Sequence, residues 1–117
     1  MTAMIGVVVM AYGSPRHRDE IAAYYTDIRR GRPPTAEQLA DLTRRYDAIG
    51  GVSPLHQRSA AQTAAITASL DDRVPGGFDV TNGFRHVEPS IETAITELAD
   101  SGVVTIVGLV LAPHYSS

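Results

Sequence analysis

The 117-residue sequence contains no cysteine and no lysine. The first absence excludes disulfides, thiolate metal sites and cysteine nucleophiles within these residues. The second leaves all ten cations to arginine, so there is neither a Schiff-base lysine nor a phosphate-loop lysine. Glycine-rich nucleotide cradles of the GxGxxG and GxxxxGK[ST] kinds are also missing. The histidines stand at no HExxH spacing, and no serine sits in a GxSxG elbow. No apolar run reaches the roughly 18–20 residues of a spanning helix. Residues 1–4 enter the first apolar stretch without a basic segment, so no secretory signal is expected and a cytoplasmic location follows. A net charge of −3 argues against nucleic acid or an anionic membrane as the main partner.

What is present describes one ordinary globular domain: 44% hydrophobic and 20% charged residues. Residues 4–11 and 103–112 are continuous apolar runs rich in β-branched side chains, the pattern of buried parallel strands. Residues 78–84 form a shorter strand carrying Asp79, Thr81 and Asn82, and are expected to be less buried than the other two. Between the first two strands lie three helical stretches. Ile21, Tyr25 and Ile28 mark the first, which Gly31 and Pro33-Pro34 end. Thr35 and Gln38 form a capping-box pattern ahead of Leu39, Leu42, Tyr46 and Ile49. Ser53-Pro54 opens the third, an alanine-rich run to about Leu70. Pro89 precedes a last helix with Ile91, Ile95 and Leu98 on its stripe. The order of strand, three helices, strand, helix, strand predicts an α/β fold: a parallel sheet flanked by helices, in Rossmann-type layers, with a long first crossover.

All carboxyl ends of a parallel sheet lie on one rim, where such folds bind ligands. The segments leaving the strands are Tyr12-Gly13-Ser14, Arg85-His86 and His114-Tyr115-Ser116, so these are expected to converge. Arginines 29, 30 and 32 crowd the end of the first helix, and Arg44-Arg45 lie late in the second. Guanidinium groups suit carboxylates or phosphates, although cations at helix C-termini also complement the dipole without any ligand. Glu88 stands two residues after His86 and is a candidate to orient it, or no more than a lead-in to Pro89. For His17 and His56, solvated or capping roles fit the predicted helix starts.

Five blocks resemble ferrochelatase, in particular the soluble bacterial kind that acts on coproporphyrin. They are Val9-Met-Ala-Tyr-Gly-Ser-Pro15, Tyr24-Tyr-Thr-Asp-Ile-Arg-Arg-Gly-Arg32, Arg45-Tyr-Asp-Ala-Ile-Gly-Gly-Val-Ser-Pro-Leu55, Gly83-Phe-Arg-His-Val-Glu-Pro89 and Leu111-Ala-Pro-His-Tyr-Ser116. The resemblance implies two similar α/β domains with a porphyrin in the cleft between them. It also implies insertion of ferrous iron into the porphyrin in heme biosynthesis, with coproporphyrin III ranked ahead of protoporphyrin IX. By position, Tyr12 resembles the phenol axial to the porphyrin-bound iron. Arg29, Arg45, Tyr46 and Ser53 resemble porphyrin contacts. Arg85 stands where related sequences often carry lysine, and His86 aligns with a family histidine of unassigned role.

The resemblance further implies that the family's metal-side histidine and glutamate lie in a second half, beyond Ser117. Residues 1–117 are therefore expected to be an N-terminal α/β domain, incomplete as a chelatase and inactive alone. Iron and porphyrin enter as substrates, with no tightly bound cofactor. No cysteine here supports the iron–sulfur cluster of some relatives. Two rival readings remain open. One is a half-size chelatase of the sirohydrochlorin type acting as a homodimer; the other is a non-catalytic anion-binding α/β module.

Overall fold

A computed structural model describes residues 4–50 and 55–111. The first strand, β1 (Ile5–Ala11), has Val7, Val8 and Val9 buried. Parallel strands β2 (Phe78–Phe84) and β3 (Thr105–Val110) pair on either side of it, giving the order β2-β1-β3. Their registers put Ala11 opposite Phe84 and Met10 opposite Val110, so the carboxyl ends of all three strands are level. This common rim is the α/β layering expected from the sequence.

After β1 comes a one-turn 3-10 helix, Arg18–Glu20, running into α1 (Ile21–Ile28). Arg30, at φ 59°, turns the chain out of α1, and Pro33-Pro34 cannot continue a helix. Helix α2 (Ala36–Ala48) starts at the capping box: Gln38 N donates to Thr35 Oγ1, and Thr35 N donates to Gln38 Oε1. It packs chiefly on α1. Helix α3 (Leu55–Arg73) lies against β2, where Thr63 Oγ1 donates to Asn82 Oδ1. Helix α4 (Ile91–Asp100) begins at Ser90, whose hydroxyl accepts from Thr93 N.

One core lies between α4 and the sheet: Val8, Ala94 and Leu98, with Met10, Val103 and Ile106 against them. The α4 stripe is therefore rotated from the sequence expectation, because Ala94 is buried and Ile95 is exposed. Close approach decides this. A Cβ at Gly83 would stand 3.0 Å from Ile91 Cα and 2.8 Å from a Val8 methyl, so α4 sits on β2 only because residue 83 is glycine.

The expected ranking of strand burial needs one correction. β1 is the most buried, as expected, but β3 is more exposed than β2 and shorter than the apolar run that suggested it. Val107 and Val110 are 46% and 63% exposed. The reason is covering. Both outer strands pair only with β1 among the described residues, but β2 has α3 and α4 packed on it whereas α4 alone lies substantially against β3. An apolar run specifies a strand able to be buried, whereas the covering has to come from elsewhere.

Candidate functional site at the carboxyl rim

The turn after β1 builds the site. Gly13 adopts φ +86°, and a Cβ there would fall 2.5 Å from Val87 Cγ2, so only glycine lets the chain pass this close to the 85–88 loop. The two loops are stitched by backbone hydrogen bonds: Arg85 N donates to Ala11 O and His86 N to Tyr12 O, both at 3.0 Å. The parallel ladder thus continues one step past the strand ends and delivers Tyr12 beside His86. Their rings lie near-parallel, 14° apart, with centroids separated by 6.2 Å. Tyr24 of α1 meets the same imidazole edge-on, also at 6.2 Å.

His86 Nδ1 donates to Asp27 Oδ2 at 2.7 Å. Glu88 is engaged elsewhere, accepting from Ser90 N at 2.9 Å, and so belongs to the lead-in of α4. Of the two roles considered for Glu88, the structure selects the local one. Asp27 and Tyr24 are the residues the sequence reading missed. The available signal was their i, i+3 spacing, which places both on one face of α1.

Two cavities flank this cluster. One, of about 310 Å³, is lined by Glu20, Tyr24, Asp27, Arg85, His86, Glu88 and Ser90, among others. The other, of about 240 Å³, has Met10, Ala11, Tyr12, Arg85, Ile91 and Val110 as its walls. Arg85, exposed on the rim, borders both. Glu20 is held below the ordinary carboxylate value, chiefly by the Arg16 backbone N–H at 2.7 Å, with burial opposing and the Arg16 side chain assisting. Burial raises the Tyr24 phenol above its ordinary value, and the neighbouring Tyr46 adds to the shift. Tyr46 is raised by burial alone. Ser14 Oγ is buried without a hydrogen-bond partner among the described residues.

The helix arginines Arg29 and Arg45 stand outside this cluster. Arg29 caps α1, lies over the Tyr25 ring at 5.5 Å, and donates to Gln38 Oε1 at 2.8 Å. Arg45, on α2, pairs with Asp41 at 3.0 Å and is 75% exposed at its side chain. Of the sequence-nominated residues, the rim gathers Tyr12, Arg85 and His86. Arg29, Arg45 and Tyr46 lie on the α1–α2 pair. Ser53 and His114 fall outside the described residues. Among the described residues no three histidine, aspartate or glutamate side chains cluster as a metal site. No described helix is long and apolar enough to cross a membrane.

The ferrochelatase family model matches residues 4–117. The chain belongs to the ferrochelatase family. The coproporphyrin III ferrochelatase of Staphylococcus epidermidis is 45% identical over 118 residues, taking in 100% of this chain and 38% of its own length. That of Halalkalibacterium halodurans is 46% identical over 114 residues, covering 97% of this chain and 37% of its own. The Listeria monocytogenes protein is 44% identical over 118 residues, again covering 100% and 38%. The chain thus spans about two fifths of the length of the curated ferrochelatases it matches. The family resemblance read from the five sequence blocks is confirmed at this level.

Proposed function

We propose that residues 1–117 are the N-terminal α/β domain of a coproporphyrin III ferrochelatase and form the tyrosine- and arginine-bearing wall against which the porphyrin lies. The observation that carries this reading is the Tyr12–His86 pair beside Arg85, at the carboxyl rim of a ferrochelatase-family sheet. Porphyrin is a flat aromatic ring with charged carboxylates at its edge. It needs an apolar floor, which Met10, Ile91 and Val110 supply beside Tyr12. It also needs cations at the edge, and Arg85 stands there. A guanidinium binds a carboxylate through two parallel N–H donors, so one arginine also fixes the ring's rotation.

In the reaction, ferrous iron enters the macrocycle as two pyrrole protons leave. Holding the ring in place converts an encounter into an oriented complex. The Tyr12 phenol oxygen is the group proposed to stand axial to the incoming iron. Arg29, Arg45, Tyr46 and Ser53 are proposed to contact the porphyrin farther from its centre, on the α1–α2 side. The metal-side histidine and glutamate, and the opposite wall, are assigned to a second half of the protein.

The test is an anaerobic titration of coproporphyrin III with this chain, followed by addition of ferrous iron. Weak porphyrin binding with negligible iron insertion is the expected result. Turnover matching that of a full-length ferrochelatase would replace this reading with a half-size homodimeric chelatase. Preference for inorganic phosphate over porphyrin would leave an anion-binding module.

A further inference from the structure

We propose that Asp27 is a positioning residue for the porphyrin-facing rim: through Nδ1 it sets the tautomer and the ring plane of His86, and thereby the plane against which Tyr12 stacks. A carboxylate accepts hydrogen bonds and donates none, so the 2.7 Å contact to Asp27 Oδ2 requires the proton to sit on His86 Nδ1. The neutral ring then carries its lone pair on Nε2, which has no hydrogen-bond partner among the described residues. The site gains an acceptor of defined direction beside a phenol. A second observation makes the placement of Asp27 notable. It occupies the last turn of α1, at the negative end of the helix dipole, where an acidic side chain is unfavourable. Its side chain is 54% exposed, so burial does not demand it either. The histidine is what it serves. The two residues lie 59 positions apart, and their contact ties the 85–88 loop to α1 in the lining of the 310 Å³ cavity.

This inference rests on the porphyrin reading for its purpose, but its first test needs no porphyrin. Long-range proton–nitrogen correlation spectra of the 15N-labelled 117-residue chain, recorded at about pH 8 where an ordinary imidazole is neutral, report the tautomer directly. The wild-type chain should show His86 protonated at Nδ1. Asp27→Asn should keep that tautomer, because its amide oxygen accepts the same N–H. Asp27→Ala should lose it and shift the Tyr12 ring signals, while the backbone spectrum elsewhere is retained. An Nε2–H tautomer in the wild-type chain, or an unchanged His86 and Tyr12 in Asp27→Ala, overturns the proposal. The second arm titrates coproporphyrin III. Asp27→Ala should bind it roughly 2- to 12-fold more weakly, the worth of one hydrogen bond, with Asp27→Asn close to wild type. Equal affinity of wild type and Asp27→Ala, once the tautomer is lost, overturns the positioning role. Failure of the wild-type chain to bind coproporphyrin at all, with the spectra as expected, overturns the porphyrin reading instead and leaves Asp27 as a structural partner of His86.

Discussion

Single side chains on the rim divide by what they offer a ligand. Arg85 borders both cavities and makes no ion pair among the described residues, so its charge is available. Arg85→Ala is expected to weaken coproporphyrin III binding by about 1.5–3 kcal/mol, the worth of a hydrogen bond to a charged group, as read by fluorescence quenching. Arg45 differs, because Asp41 already holds it at 3.0 Å on an exposed helix face. Breaking that surface pair should cost at most about 1 kcal/mol of stability. A full-length Arg45→Ala protein should therefore keep its melting temperature while its porphyrin affinity falls by about 1–3 kcal/mol. Unchanged affinity there would make the arginine a helix-surface residue only. The two half-buried phenols supply a pH test. Burial raises Tyr24 and Tyr46, and each adds to stability while neutral. That contribution is complete below the ordinary tyrosine value and is lost as pH rises through the raised folded-state values. Absorbance titration should show these two ionising above the ordinary tyrosine value. Tyr46→Phe should bring Tyr24 down part of the way, since burial, its larger cause, remains.

Elements here are anchored locally and oriented by a few contacts. The capping box at Thr35 and Gln38 starts α2, whose main packing partner is α1. Thr35→Ala should therefore cost about 1 kcal/mol, the usual worth of an N-cap, and show as reduced helical circular dichroism. Leu98 is different in kind: it is 3% exposed in the core between α4 and the sheet. Leu98→Ala is expected to destabilise the chain by about 2–5 kcal/mol, the transfer loss plus a cavity, measured by urea unfolding. The turn at Gly13 couples element to site. Any larger residue there meets Val87 and a left-handed backbone at once. Gly13 therefore controls how closely Tyr12 and His86 approach.

The whole molecule is elongated, with a radius of gyration of 16.4 Å, against about 13 Å for a compact domain of this length. Its extents are 51 × 29 × 25 Å. The α1–α2 pair lies to one side of the sheet's core, and β3 leaves apolar surface bare: Val107 and Leu109 on one face, Val110 toward the other. An unpaired strand edge beside exposed valines is a template for association. Sedimentation velocity should show concentration-dependent self-association of the 117-residue chain. Val107→Lys should reduce it, because a lysine on an edge strand opposes pairing. Monomeric behaviour of the unsubstituted chain at high concentration would mean that this surface is not adhesive.

Residue type and period alone determined a good deal of this protein. The strand at 78–84, the capping box and the breaks at Pro33-Pro34 follow from local sterics and hydrogen bonding, which neighbouring residues suffice to dictate. The parallel layering followed from the order of elements, and with it the meeting of Tyr12, Arg85 and His86, since parallel strands send their carboxyl ends to one rim. Family membership was likewise legible in the five blocks. Tertiary structure alone decided the rest. The Asp27–His86 contact spans 59 residues, and nothing in either local sequence names the other. The turn of α4 toward Ala94 rather than Ile95 depended on how closely a glycine in β2 lets the helix approach. The exposure of β3 depended on its covering: β2 is an edge strand too, but α3 and α4 both lie against it. Periodicity tells which side of an element is able to be buried; only the packed molecule decides what covers it.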